Sequence, residues 1–219
     1  MPIVNAKNKT TKRNATSLIE VVSRAENKLA GAVRAFSYDF RDKTVLDIGS
    51  STGGFTEFAL RAGAKTVIAI EKGTNQMKAP LRFDKCVNLH EKTDIFTVRR
   101  ESLLADYANS MNLDVILADV SFVSLKKVLS YVKKHLASPE TDYLVMLKPQ
   151  FEAEASQLKN GIIKNEKIRR QIIKSFENWL KVHGFLIINK RDNSLAGKNG
   201  NLERFYHLKN TKRNLHMLK

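Results

Sequence analysis

"LDIGSSTGGF", residues 46–55, decides how the chain is read. It closes a short apolar run, "TVLDI" (44–48), breaks into small residues, and resumes as "FTEFALRAGA" with helical character. A glycine-rich turn between a strand and a helix suggests a phosphate loop, yet neither phosphate pattern fits. The dinucleotide fingerprint needs G-x-G-x-x-G, and Gly49 is instead followed by Ser50, Ser51 and Thr52 before Gly53 and Gly54. The P-loop needs a Lys directly after its last glycine, and Phe55 stands there. The turn is therefore expected to make room for a ligand without gripping a pyrophosphate.

Outward from this turn the chain alternates. "TVIAIE" (66–71), "CVNLH" (86–90), "DVILAD" (114–119) and "YLVMLK" (143–148) read as further strands. Helices are expected over 16–36, over "SLKKVLSYVKKHL", and from Asn165 to His183, with Gly184 as the stop. In the last of these, Ile168, Ile172, Phe176, Trp179 and Leu180 are expected to face inward. "FLIINK" (185–190) and "ERFYHLK" (203–209) follow with no helix between them. Alternation of strands and helices predicts an α/β, Rossmann-like, mostly parallel sheet, and the crossover-free final pair predicts an antiparallel last strand. Seven strands in that arrangement are the layout of the S-adenosylmethionine-dependent methyltransferases.

That layout gives the glycine turn a purpose. Ligands of doubly wound sheets sit beyond the carboxyl ends of the strands, at the switch point after the first strand. A methionine and ribose moiety carries no phosphate, so what it needs is close backbone passage, which Gly49, Gly53 and Gly54 allow. Ser50, Ser51, Thr52 and Phe55 are expected to complete the wrap, with Asp47 facing the amino-acid end or a water. Glu71, at the end of the second strand, is placed for the ribose hydroxyls. Asp94 in "EKTDIF" is a candidate for the adenine amino group, and equally a turn cap.

Composition sets the partner class. Thirty-eight Lys and Arg against 22 Asp and Glu give a net charge of +16 in 219 residues. Codon bias or solubility explains a modest excess; one this large points to a polyanion such as nucleic acid. Residues 1–15 read as a flexible basic arm, 16–210 as the catalytic domain and 211–219 as a basic tail. Lys7, Lys9, Lys12 and Arg13 in the arm, with Arg24, are the candidate RNA contacts. Cys86 is the single cysteine, which excludes an intrachain disulfide and argues against a zinc site. No apolar run approaches the length of a membrane span or signal core, so a cytoplasmic protein is expected.

Five blocks, "VSRAENKL", "LDIGSSTGGFTEFALRAGA", "ADVSFVSL", "LKPQFEA" and "DNSLAGKNGNLERF", resemble the TlyA (haemolysin A) family of FtsJ-like ribose 2′-O-methyltransferases over roughly residues 20–209. The resemblance implies methyl transfer from S-adenosylmethionine to a ribose 2′-hydroxyl in ribosomal RNA. It also implies a Lys-Asp-Lys-Glu tetrad, which falls on Lys28, Asp119, Lys148 and Glu203; Asp119 would also lie near the cofactor. The carboxylates are expected to aim the lysines, with much of the rate coming from alignment. Family members commonly begin with an S4 RNA-binding domain, where this sequence has only the basic arm. The family commonly has Asp where Glu71 stands. Three other readings compete. A cytolysin would want an insertion segment, and none is evident. A silent RNA-binding module is opposed by the full tetrad, and a small-molecule methyltransferase by the charge.

Overall fold

A computed structural model of the chain describes residues 24–104, 112–194, 197 and 200–211. Its first half contains α1 (Arg24–Phe36), β1 (Thr44–Ile48), α2 (Gly54–Arg61), β2 (Thr66–Ile70), β3 (Val87–His90) and α3 (Arg100–Leu103). Then come β4 (Val115–Ala118), α4 (Leu125–His135), β5 (Asp142–Leu147), α5 (Glu166–Val182), β6 (Phe185–Asp192) and β7 (Arg204–Asn210). The strands form one sheet in the order β3-β2-β1-β4-β5-β7-β6. The pairs joining β1 to β5 are parallel, and β7 runs antiparallel to both β5 and β6. This is the seven-stranded α/β sheet with a reversed last strand that the sequence predicts.

Every residue of β1, β2, β4 and β5 is buried. Such strands need a layer on each face, which is why they read as unbroken apolar runs. Alternate side chains go to opposite layers. Val45, Val67 and Leu117 pack with Leu29, Phe55 and Phe58 on the α1–α2 side. Leu46, Ile68, Ile116 and Val145 pack with Leu129, Phe176 and Leu180 on the α4–α5 side.

Boundaries shift by a residue or two from expectation, and the part of the first helix before Arg24 lies outside the described residues. The inward face of α5 differs more. Ile172, Phe176 and Leu180 are buried as expected, but so are Ile173 and Arg169, while Ile168 and Trp179 are only partly covered. Arg169 can take a core-facing position because Asp192 Oδ1 lies 2.6 Å from Nη2 and the Leu202 carbonyl accepts from Nε. A buried guanidinium is tolerated when it is paired and hydrogen-bonded.

The topology gathers one edge. β1, β2, β4 and β5 all end there, and β7, running the other way, begins there. The loops that open from this edge are 49–53, 71–76, 119–124 and 148–152.

Candidate active site

The glycine turn is held open by geometry that a side chain would spoil. Gly49 has φ +79°, and a Cβ there would sit 2.9 Å from the Asp119 backbone carbonyl. At Gly53, with φ +95°, a Cβ would meet the Leu81 side chain. Both positions need the freedom of glycine. The Gly49 and Ser50 amides donate to the Ile70 carbonyl, so the turn is laid against the end of β2.

Asp47 lies under this turn, fully buried. Its Oδ2 accepts from Thr56 Oγ1 at 2.6 Å, while its Oδ1 has no side-chain hydrogen-bond partner among the described residues. Burial pushes its carboxyl up to about 7, opposed by the Thr56 hydrogen bond and aided by the negative charge of Asp119. Ser50 Oγ is a second buried polar atom with no protein partner beside it in the turn. Glu71 follows β2, and both its oxygens face backbone amides: Oε2 accepts from Ser51 N at 2.9 Å and Oε1 from Gly73 N at 2.6 Å. Gln76 Nε2 also donates to Oε1 at 3.3 Å, so the carboxylate ties the first loop to the second and keeps a free lone pair on Oε2. Asp94 caps the turn Ile95–Thr97 through the Phe96 amide, and Lys72 Nζ stands 2.9 Å from its Oδ2. Those two contacts hold its charge and lower its pKa, the lysine foremost.

Two ion pairs occupy the opposite bank of the crevice. Lys148 Nζ lies 2.7 Å from Asp119 Oδ1 and donates to Ser121 Oγ at 2.7 Å. The contact with Asp119 is an ion pair without the angles of a directed hydrogen bond. Lys28, from α1, meets Glu203 Oε2 at 2.5 Å, with both side chains nearly buried. The β5–β7 ladder explains how the pairs become neighbours. Its last pair is Leu147↔Arg204, so Lys148 and Glu203 are the next residues on adjacent strands. Asn193 Nδ2 also reaches Glu203 Oε2 at 3.4 Å.

Two aromatic rings hang over this bank. Phe122, three residues past Asp119, is 92% exposed with φ +62°. Phe151, three past Lys148, has its ring centroid 5.2 Å away. A bulky residue in left-handed backbone with its ring in solvent is costly, and such strain gathers at functional sites.

The FtsJ-like methyltransferase family model matches residues 21–210. The chain belongs to the FtsJ-like methyltransferase family. Among FtsJ-like relatives, the 23S rRNA (cytidine-2′-O)-methyltransferase TlyA of Campylobacter jejuni is 35% identical, matching 85% of this chain and 70% of its own length. Hemolysin A of Brachyspira hyodysenteriae is 36% identical over 86% of this chain and 77% of its own. A solved hemolysin-type protein from Lactococcus lactis is 34% identical with a TM-score of 0.79, covering 87% of this chain and 89% of that one. The chain spans 66 to 77% of the length of these curated FtsJ-like relatives when the Bacillus subtilis protein YqxC is included. An S-adenosylmethionine-dependent methyltransferase from Mesorhizobium loti, 13% identical with a TM-score of 0.54, shares the fold.

Of the expected site residues, the structure pairs Lys148 with Asp119 and Lys28 with Glu203, and sets Asp47, Gly49, Ser50 and Glu71 around one turn. Thr52 is exposed, and Phe55 instead packs into the α1–α2 core. Lys7, Lys9, Lys12 and Arg13 lie outside the described residues; Arg24 opens α1. Ser121, Phe122, Phe151 and Asn193 were not anticipated. In "ADVSFVSL" a phenylalanine looks like core, and only its backbone angle and exposure set it apart.

Proposed function

We propose that the protein is an S-adenosylmethionine-dependent methyltransferase acting on a ribose 2′-hydroxyl of ribosomal RNA. The observation that carries this reading is the juxtaposition at one sheet edge of a phosphate-free glycine turn with two nearly buried Lys–carboxylate pairs. The names of the relatives support the RNA substrate.

The turn fits the cofactor. A buried Asp47 oxygen without a side-chain partner and the Ser50 hydroxyl offer polar atoms, and the Gly49 gap leaves no room for anything but backbone. Asp47, Gly49, Ser50, Ser51, Gly53 and Gly54 would hold it, with Glu71 at the ribose and Asp94 at the adenine. Bound there, S-adenosylmethionine supplies an electrophilic methyl group.

The chain's own residues handle the target. Asp119 and Ser121 hold the Lys148 ammonium in place, one by charge and one by a hydrogen bond, which leaves it donors for a hydroxyl in the crevice. A hydroxyl accepting from it would be held in one place, and restricting that freedom is a large share of such a rate enhancement. Glu203 and Lys28 form the second wall, and Glu203 offers an acceptor toward the hydroxyl's proton. Phe122, with Phe151 behind it, presents a ring on which the base of an extruded nucleotide can stack, a contact worth about 1–3 kcal/mol.

Radiolabelled S-adenosylmethionine with ribosomal subunits and with naked ribosomal RNA tests the reading. Label should enter RNA and protect the neighbouring phosphodiester from alkali, as a blocked 2′-hydroxyl does. Lys148→Ala should abolish transfer while leaving cofactor affinity within about twofold, since the turn lies on the other bank. Label found only on protein or small molecules would overturn it.

A further inference from the structure

A second concavity lies away from the sheet edge, on the outer α4–α5 side. It encloses about 490 Å³ and is walled by Phe96, Lys126, Lys127, Tyr131, Lys134 and Trp179. Among the described residues no carboxylate lines it. Glu152, beside Lys126 at 4.0 Å, uses its oxygens on Ser124 Oγ and the Leu125 amide. Lys127 and Lys134 are exposed, and seven residues of helix set them about 10 Å apart along its axis. The Arg99 guanidinium adds a further charge over the Tyr131 ring, at 5.6 Å from the centroid. His135 is held below the usual histidine range, by desolvation first and then by Arg99 and Lys134, with Glu101 opposing them.

The rings bring a second chemistry. Phe96 is exposed and meets Tyr131 edge to face at 5.4 Å, so one of its faces is open. Trp179 closes the far wall, its ring stacked on His183 at 4.2 Å. Cations in a row beside an open aromatic face are the two elements by which proteins hold unpaired nucleic acid: charge for the backbone, a π-face for a base. A duplex keeps its bases stacked on one another and would use the cations alone.

We propose that this groove binds a single-stranded RNA segment, its phosphates over Lys127 and Lys134 and a base on Phe96. The site is distinct from the catalytic crevice. Hydrogen bonds from Ser124 and the Leu125 amide to Glu152 join the start of α4, the helix that carries Lys127 and Lys134, to the turn that follows Lys148. The inference rests on the RNA substrate of the proposed function, and its test is separable from that reading.

Fluorescence anisotropy of the full chain with a short labelled ribo-oligonucleotide, across a salt series, provides the test. K127Q/K134Q should lower the slope of log affinity against log salt by about 1.4, the value for two phosphate contacts on a single strand. Phe96→Ala should weaken binding by about fivefold or more and leave the slope unchanged. K65Q/K85Q removes the same charge ahead of β2 and β3, at the other end of the sheet, and should leave both nearly unchanged. An equal loss in that control, or no loss in the groove variants, overturns the proposal. So does a duplex of the same sequence binding as tightly as the single strand. If the wild-type chain transfers no methyl to RNA, the proposed function falls while the anisotropy still decides the groove. If it does, K127Q/K134Q should raise KM for RNA without changing kcat.

Discussion

A single carboxyl shows how far burial governs this site. Asp47, on β1, is buried beneath the start of α2, with the hydroxyl and backbone amide of Thr56 offsetting part of its lost hydration. Its folded pKa of about 7 lies above the ordinary value of 3.8, so the folded state binds the proton more tightly than the unfolded chain. Stability from this group is therefore full below about pH 4 and falls as pH rises toward 7. Urea unfolding across that range should show the decline, and Asp47→Asn should flatten it; an identical profile in both would mean the carboxyl is not the titrating group. The Lys28–Glu203 pair makes a different case. Its side chains are 10% and 4% exposed, so Lys28→Met leaves a carboxylate buried without its partner. Loss of one partner from such a pair costs about 3–5 kcal/mol, whereas replacing both is near neutral. The double variant Lys28→Met/Glu203→Leu should recover most of the lost urea midpoint yet remain inactive.

At the scale of elements, the strands were legible because parallel strands buried on both faces leave a strong signature in sequence. Val, Ile and Leu in short runs, each followed by a turn, located β1, β2, β4 and β5 to within a residue or so. Resemblance alone pointed to Lys28, Asp119, Lys148 and Glu203, which the structure brings together as two ion pairs. What was not legible depends on contacts between distant segments. Arg169 reads as a solvated helix residue, since nothing near it in sequence announces that Asp192 will meet it. Glu152 is similar. It caps α4 from another loop, accepting the Leu125 amide at 2.6 Å and the Ser124 hydroxyl at 2.8 Å. Ser124, in the capping position, makes no side-chain cap of its own. Glu152→Ala should cost about 1–2 kcal/mol, as loss of an N-cap does. Because the same carboxylate braces the loop that follows Lys148, the variant should also slow methyl transfer, read as a fall in kcat at unchanged cofactor affinity. A drop in stability with full activity would separate the cap from the catalytic loop.

For the whole molecule the governing quantity is charge. A net +16 on 219 residues sets up a long-range attraction for polyanions that does not depend on any single contact. Residues 1–14 contribute Lys7, Lys9, Lys12 and Arg13 with no acid among them. If all four engage phosphates, their deletion should lower the slope of log affinity against log salt by about 2.8 on single-stranded RNA. The fold is expected to survive, since both core layers of the described residues are built from later positions; a cooperative urea transition of the truncated chain would check this. The same truncation should leave kcat on saturating RNA unchanged, because it keeps the Lys28–Glu203 and Lys148–Asp119 pairs. A slope that does not move would take the N-terminal segment out of the footprint and leave the α4–α5 groove to carry the attraction.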